Sequence, residues 1–207
     1  MKIYDISWPL HEATTAYKDK KTIHFESVKS FDTDTVRESI ITLNAHSGTH
    51  IDAPSHFLRE GKTIDQLHLS SVIGPCKVFH MSQVSDGITA DHIENLDISA
   101  GDIVLFKTIN SAIPATAKFT PAFIYLTFSA AQCLVERKVR AVGIDYLGIE
   151  RNQDGHLTHK ELFNHDITII EGLRLGAIKE GNYFLCCLPL YAIGIEAAPA
   201  RAVLIEM

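Results

Sequence analysis

The segment 46–57, with the sequence HSGTHIDAPSHF, constrains the fold of this chain more strongly than any other. Its three histidines and its aspartate all occupy even positions, so in a straight strand their side chains would share one face. They would also extend over roughly 33 Å, which is too far for them to meet at one ion. The segment must therefore bend, and Gly48 and Pro54 are the residues that permit a bend. We predict a strand end that runs into a tight turn, with a short helix beginning at Thr49.

The residue types in this segment predict a metal site. Imidazole and carboxylate groups at this density suit a divalent cation, and His46, His50 and Asp52 alone would hold one ion with an open position for water. This ligand set is compatible with zinc, manganese or ferrous iron. The competing geometry is a continuous helix, but the Gly, Thr, Ile and Pro residues within the segment disfavour it. His56 is either a fourth ligand or a general acid/base, because imidazole titrates near neutral pH.

Two residues in the second half of the chain are further candidate ligands. Glu171 ends an apolar predicted strand, where a carboxylate is costly unless a cation compensates its charge. A salt bridge to Arg174 is the alternative explanation for this carboxylate. His159 lies near the start of the preceding predicted helix, and His156 and His165 compete with it for the role of ligand.

Hydrophobic patterning predicts an α/β chain. Strands are predicted at 3–6, 25–31, 36–43, 72–80 with a break at Gly74-Pro75, 102–108, 139–145, 167–170, 183–189 and 202–205. Helices are predicted at 89–95, at 129–138 with Ser129 as its N-cap, and at 157–165. Helix 129–138 leads directly into an apolar strand, which indicates an α/β layer with parallel pairing. Since the sequence contains no repeat, low-complexity tract or linker, residues 1–207 are predicted to form one domain.

The composition excludes several classes of function. A net charge of −6 with interspersed signs gives no basic surface for nucleic acid. No run of about eighteen apolar residues is present to span a membrane. The first residues lack an apolar core of signal-peptide length, and the four cysteines are scattered without C-x-x-C spacing. We therefore expect a cytoplasmic protein with free thiols that binds neither nucleic acid nor membrane.

The pattern H-x-G-T-H-x-D-x-P-x-H-F in segment 46–57 resembles the signature of the metal-dependent cyclase family, which includes bacterial kynurenine formamidases and isatin hydrolases. The resemblance extends over nearly the whole chain and is weakest at residues 10–35. It implies a swivelling β/β/α fold with a mixed sheet and flanking helices, assembled as a homodimer or homotetramer. It also implies one or two bound metal ions, with zinc first and manganese as the alternative.

The resemblance further implies a role for each candidate residue. The metal ligands would be His46, His50, Asp52, His159 and Glu171. Asp52 would bridge two ions, and His56 would be the catalytic residue that carries the proton. The implied activity is metal-dependent hydrolysis of a small aryl formamide, first of all N-formylkynurenine to kynurenine and formate.

The loop 11–27 departs from the family pattern and bears on the choice of substrate. Family members carry a substrate-facing loop near this point, often rich in Pro and Gly with an aromatic residue, whereas this chain has the charged sequence 18–21. Tyr17 is the nearest match to the aromatic residue and is the candidate substrate-binding residue. Two alternatives stay open: a cyclic-amide hydrolase of the isatin type on the same site, and a non-catalytic member of the family that binds a metal or another ligand.

Overall fold

The computed structural model describes residues 1–206, and a closed mixed sheet is its central element. The strands are β1 (Lys2–Asp5), β2 (His24–Lys29), β3 (Glu38–Thr42), β4 (His50–Asp52), β5 (Ile73–His80), β6 (Gly87–Ile88), β7 (Ile103–Lys107), β8 (Tyr125–Leu126), β9 (Ala141–Ile144), β10 (Thr168–Glu171), β11 (Gly181–Pro189) and β12 (Ala197–Glu206). The α-helices are α1 (Ala90–Ile93), α2 (Phe128–Glu136) and α3 (Leu157–Asn164).

The main sheet has eight strands in the order β1-β12-β11-β5-β7-β9-β10-β4. β4 also pairs with β12, so the strands from β12 round to β4 close into a ring, and β1 lies outside it along β12. Strands β5, β7, β9 and β10 run parallel, whereas the pairings made by β11, β12 and β4 are antiparallel. This mixed sheet with flanking helices confirms the predicted α/β fold class.

Strands β7, β9 and β10 are buried on both faces, which explains their largely apolar sequences. In β7, Val104 and Phe106 belong to the core beneath α2 and α3, where Leu134 is fully buried. Ile103 and Leu105 belong to the separate core enclosed by the ring of strands. The division follows from the alternation of side chains along a strand. The sheet therefore has an inner core and a helix-covered outer face, and the candidate site lies on the outer face.

Two local predictions are wrong. The Gly74-Pro75 dipeptide does not break strand β5. Pro75 pairs with β11 only, and the pairing of β5 with β7 begins at Cys76. The missing N–H of the proline therefore costs no hydrogen bond to β7. The N-cap of α2 is Thr127 rather than Ser129, since the Thr127 hydroxyl accepts the N–H of Ala130 at 3.3 Å. The sequence nevertheless predicts the strand at 72–80 and the helix at 129–138 themselves.

Segment 46–57 bends as predicted, but its local structures follow in a different order. A turn at 45–49 comes first, β4 follows, and a 3-10 helix spans Pro54–His56. The short helix therefore begins at Pro54 and not at Thr49, because proline has the fixed φ that suits a first helical position.

Strands β2 and β3 form a separate two-stranded hairpin outside the main sheet. Every residue of both strands is exposed, including the large apolar residues Phe25, Ile40 and Ile41. The strand predicted to deliver the ligands to their turn is thus not part of the sheet that holds them. Within residues 1–206, no helix has the length and apolar character needed to cross a bilayer. The single domain over 1–207 stays a prediction.

Candidate metal centre

The register between β4 and β10 brings the two halves of the predicted site together. His50 lies opposite Glu171, and Asp52 lies opposite Ile169, so these four side chains share one face of the sheet. Ile169 belongs to the core beneath α3, the helix that carries His159. The face that carries Asp52 and Glu171 is therefore covered by α3, the helix that carries His159.

A tight turn sets the position of His46. Gly48 has φ +61°, and a Cβ added to Gly172 would lie only 2.2 Å from the Gly48 carbonyl oxygen, so both positions require glycine. The Thr49 hydroxyl accepts the N–H of Trp8 at 2.7 Å and donates to the Gly172 carbonyl. The turn is thus locked against the end of β10, and it presents His46 at the entry to β4.

Asp52 lies at the centre of the candidate ligands. Its Oδ1 is 2.9 Å from His46 Nδ1 and 3.5 Å from His50 Nε2, and its Oδ2 is 3.6 Å from His159 Nε2. Glu171 completes the group, with Oε2 3.2 Å from His50 Nε2 and Oε1 3.4 Å from His159 Nε2. We call these five residues the ligand cluster. The structure brings together all five predicted metal ligands, and their role as ligands stays a prediction.

The ligand cluster contains polar atoms that the protein leaves without hydrogen bonds. His50 Nε2 and both carboxylate oxygens of Asp52 are buried, and none of their contacts among the described residues has the geometry of a hydrogen bond, including the 2.9 Å contact of Asp52 Oδ1 with His46 Nδ1. Burial of such atoms without a partner is costly. His50, Asp52 and Glu171 each contribute one potential ligand atom, and these three atoms lie within 4.8 Å of one another. They are close enough to share one ion. Nitrogen and oxygen donors suit zinc and manganese alike, so these residues fit a divalent metal.

The charges within the cluster also favour a cation. Burial opposes ionisation of Asp52, but the neighbouring imidazoles of His159 and His46 hold the pKa of this carboxyl well below its usual range. Burial and the charge of Asp52 oppose ionisation of Glu171, yet His159 and His50 lower the pKa of Glu171 to about 2. Burial disfavours protonated His50, and the two carboxylates overcome this and raise the pKa of His50 to about 9. Two buried carboxylates are therefore ionised, and a metal would replace imidazole protons as their counter-charge.

Glu150 supports the cluster from outside, and sequence reasoning missed it. Its Oε1 lies 2.8 Å from His159 Nδ1 and 2.9 Å from His156 Nδ1. Burial opposes ionisation of Glu150, but the contacts with His159, His156 and the Thr158 N–H together outweigh it, and the pKa of Glu150 is lowered. The sequence contains the same signal for Glu150 as for Glu171, namely a single carboxylate directly after an apolar run. For Glu150 this run ends at Ile149.

The structure also decides between the alternatives considered for Glu171 and His159. Arg174 does not pair with Glu171, because its guanidinium lies 4.6 Å from the centre of the Trp8 ring and donates to the carbonyl of Ile113 at 2.8 Å. The salt-bridge explanation of Glu171 is therefore wrong. His165 follows the end of α3, where it is exposed and lies outside the ligand cluster.

A cavity of about 300 Å³ opens beside the ligand cluster. Asp52 and Glu171 lie in its wall together with Phe57 and Tyr17. The Tyr17 ring packs 4.7 Å from Phe119, centre to centre. Burial, with the charges of Glu171 and Glu150, raises the pKa of Tyr17. The tyrosine from the divergent loop thus contributes a protonated hydroxyl and an aromatic surface to the candidate site.

His56 lies in the same cavity wall, at the end of its short 3-10 helix. Its ring centre is 4.3 Å from that of His46 and 6.0 Å from that of His159. Burial lowers the pKa of His56, so its imidazole is neutral at neutral pH. One His56 nitrogen is also within 4.8 Å of donor atoms of His46 and Asp52. The geometry therefore leaves open both roles considered from the sequence, fourth ligand and general acid/base.

Comparison with known sequences identifies relatives over nearly the whole chain. The Cyclase family ("Putative cyclase") matches residues 4–151. A kynurenine formamidase from Salinibacter ruber is 31% identical over 207 residues, which cover 99% of this chain and 97% of that protein.

Comparison with solved structures identifies the same architecture. A structure described as a potential metal-dependent hydrolase with cyclase activity is 45% identical and superposes with a TM-score of 0.89, covering 98% of this chain and 96% of the other. An isatin hydrolase bound to the product analogue thioisatinate has a TM-score of 0.86 at 22% identity, with 100% and 93% of the two chains covered. At that identity the second likeness shows the fold alone, and it confirms the predicted architecture.

Proposed function

This chain belongs to the Cyclase family, and we propose on that basis that it hydrolyses the carbon–nitrogen bond of a small amide with the help of a divalent metal. The first substrate we propose is N-formylkynurenine, cleaved to kynurenine and formate, because kynurenine formamidases are relatives over nearly the full chain. One observation carries the proposal: the buried carboxylate of Asp52, whose oxygens have no hydrogen-bond partner among the described residues, borders a cavity of a size that suits a small ligand.

We propose that the ligand cluster holds one or two divalent ions, zinc first and manganese as the alternative. His46, His50 and Asp52 would hold one ion, and Asp52 would be shared with a second ion held by His159 and Glu171. Bound metal would polarise the substrate carbonyl and lower the pKa of a water molecule towards neutrality.

We propose that His56 moves the proton in the reaction. Its burial favours the neutral imidazole, which accepts a proton from the attacking water. When the carbon–nitrogen bond breaks, the same imidazolium returns this proton to the leaving nitrogen, so that a neutral amine and a carboxylic acid result. The acid then loses the second proton of the water molecule to solvent and leaves as the carboxylate. The contact between the His56 and His46 rings supports this role, because it keeps the imidazole beside the ligand cluster.

We propose that Tyr17 contacts the aryl part of the substrate. Its ring and that of Phe57 supply aromatic surface in the cavity wall, and planar aryl groups pack well against such rings. The Tyr17 hydroxyl stays protonated and is able to donate a hydrogen bond to a substrate oxygen.

Turnover of two candidate substrates tests the proposed activity. We expect protein loaded with Zn²⁺ or Mn²⁺ to release formate from N-formylkynurenine and to lose this activity after treatment with a chelator. Isatin, assayed in parallel by its ring opening, is expected to react more slowly. Turnover of isatin but not of N-formylkynurenine would favour the cyclic-amide alternative. Metal binding without turnover of either compound would favour a non-catalytic member of the family.

We further infer that the chain forms a homodimer or homotetramer through the β2–β3 hairpin. An isolated two-stranded hairpin is marginally stable in water. Phe25 and Ile41 lie directly opposite each other on one of its faces and are 39% and 59% exposed. At the open end of the hairpin, Ile23 before β2 and Asn44 after β3 also line the cavity beside the ligand cluster. A second copy packed against this face would cover apolar surface and hold the cavity wall in place.

Replacing Ile41 by lysine is expected to shift the protein towards the monomer. The dimer dissociation constant should rise at least about tenfold, because burial of an unpaired ammonium group costs several kcal/mol. Light scattering coupled to size-exclusion chromatography measures the shift. Ile109→Lys, at an isoleucine that is 53% exposed and outside the hairpin, is the control. An unchanged mass for Ile41→Lys would exclude this face as the interface.

We also infer a cytoplasmic location. All four cysteines are free, as is common in a reducing compartment.

A further inference from the structure

Glu150 is a buried carboxylate whose hydrogen bonds are concentrated at the start of α3. It is only 4% exposed. Its Oε1 accepts hydrogen bonds from the Nδ1 atoms of His159 and His156 at 2.8 and 2.9 Å, and its Oε2 accepts the backbone N–H of Thr158 at 2.9 Å. Both oxygens are therefore engaged, one by two imidazoles and the other by the helix backbone.

The contact with Glu150 decides which nitrogen of His159 is available to a metal. An ionised carboxylate accepts hydrogen bonds and donates none, so the Nδ1 atom that faces it carries a proton. Nε2 is then the nitrogen that can offer a lone pair, and it lies 3.4 Å from Glu171 Oε1 and 3.6 Å from Asp52 Oδ2. Phe57 covers the same imidazole at a centre-to-centre distance of 4.4 Å. The His159 ring is thus fixed in both orientation and tautomer.

Glu150 also holds the beginning of the helix that carries His159. His156, the residue before α3, has φ +48°, and its side chain makes no capping hydrogen bond. The Glu150 carboxylate instead accepts the N–H of Thr158, one of the N–H groups that have no partner within the helix. A negative charge at a helix N-terminus is favourable. One carboxylate therefore fixes both the start of the helix and the ring of His159, the third residue of the helix.

Ile149, the residue before Glu150, supports Glu171, the candidate ligand that is paired with His159. The backbone N–H of Ile149 donates to Glu171 Oε1 at 2.5 Å, and the Ile149 carbonyl accepts the N–H of Leu126 at 2.7 Å. Residues 149 and 150 thus contact His159 and Glu171 together, through a side chain and through the backbone.

We propose that Glu150 is a positioning residue for metal binding, which fixes the orientation and tautomer of His159 so that its Nε2 and the Glu171 carboxylate form a ready pair of ligand atoms. The inference rests on the proposed metal-dependent function and extends it to a residue outside the ligand cluster. Partners of this kind commonly change metal affinity without binding the metal themselves.

The variant Glu150→Gln tests the proposal with Zn²⁺ as the probe. An amide of the same size must present its NH₂ group either to His159, which would move the proton to Nε2, or to the N–H of Thr158, which would lose its acceptor. Competition with a chromophoric chelator measures the dissociation constant of each bound Zn²⁺. We expect one dissociation constant to rise by roughly 10- to 100-fold. Glu161→Gln, on the same helix, is the matched control and should keep the wild-type values.

Two further variants keep the test decisive. His156→Asn removes the other imidazole from Glu150 but retains the contact with His159, so its Zn²⁺ affinity should stay near the wild-type value. Glu150→Asp keeps the charge on a shorter side chain, and its affinity should fall between those of wild type and Glu150→Gln, which gives a second measurement if the latter does not fold. Circular dichroism of the metal-free proteins shows which variants are folded.

The possible outcomes separate this inference from the proposed function. Wild-type Zn²⁺ affinity in folded Glu150→Gln would overturn the positioning role alone. An equal loss of affinity in His156→Asn would also overturn it, because the effect would not depend on the His159 contact. A wild-type protein that takes up no Zn²⁺ would overturn the proposed function, and this inference with it.

Discussion

Replacing Asp52 by asparagine is expected to abolish metal binding and hydrolysis together. The carboxylate is 1% exposed, and its two oxygens face the imidazoles of His46, His50 and His159. Asparagine has nearly the same shape, but it is neutral and offers one acceptor oxygen instead of two. Its NH₂ group would point at an imidazole or occupy the position of a metal. No other residue of the cluster has short distances to three histidines, so the loss should exceed that of any other single substitution.

The expected size of this effect follows from the chemistry that a bound metal supplies. Without a metal to lower the pKa of water, kcat/KM should fall by more than about 1000-fold. Elemental analysis of wild type and Asp52→Asn, both purified without added metal, measures the loss and also identifies the native ion. Asp91→Asn, at an exposed position on α1, is the control. Wild-type metal content in Asp52→Asn would place the metal elsewhere.

Replacing His56 by alanine is expected to separate metal binding from catalysis. His56 packs against His46 with its ring tilted by 39° but makes no ion-pair contact below 4.0 Å with a carboxylate of the described residues, so we expect its removal to leave the ligand cluster intact. A general acid/base contributes roughly 10²- to 10⁴-fold, and kcat should fall by that factor while metal content stays at the wild-type value.

Measuring both quantities on one preparation distinguishes the two roles that the geometry leaves open for His56. Elemental analysis reports the metal, and initial rates of N-formylkynurenine hydrolysis report catalysis. His165→Ala, at an exposed histidine after α3, is the control for loss of an imidazole. A parallel loss of metal and activity in His56→Ala would make His56 a fourth ligand, and an unchanged kcat would remove it from the mechanism.

The ligand segment could be identified from sequence because its chemistry is local. Three histidines and Asp52 occur within residues 46–57, and the spacing alone required a bend at Gly48. Glu171 was recognisable because a carboxylate at the end of an apolar strand needs a compensating charge. Both arguments depend on neighbouring residues only, and the structure brings these side chains together as expected.

Other parts of the site depend on contacts that sequence patterns do not report. Glu150 follows an apolar run as Glu171 does, but its partners His159 and His156 become visible only when α3 is placed over the sheet. The hairpin β2–β3 contains the aromatic and β-branched residues of an ordinary strand pair, and nothing local indicates that it leaves the main sheet. β4 is only three residues long, so its pairing with two strands at once is set by tertiary structure.

The double pairing of β4 has a consequence for how the protein is made. β4 is held on one edge by residues 169–171 and on the other by residues 197–199, so a growing chain contains the histidine segment long before either edge exists. Contacts this distant in sequence form late and slow folding. The ring of strands can close only after β12 has left the ribosome. The complete ligand set is thus assembled only once β10 and β12 are both available to β4, and before that the nascent chain offers a metal ion mainly the segment between His46 and His56.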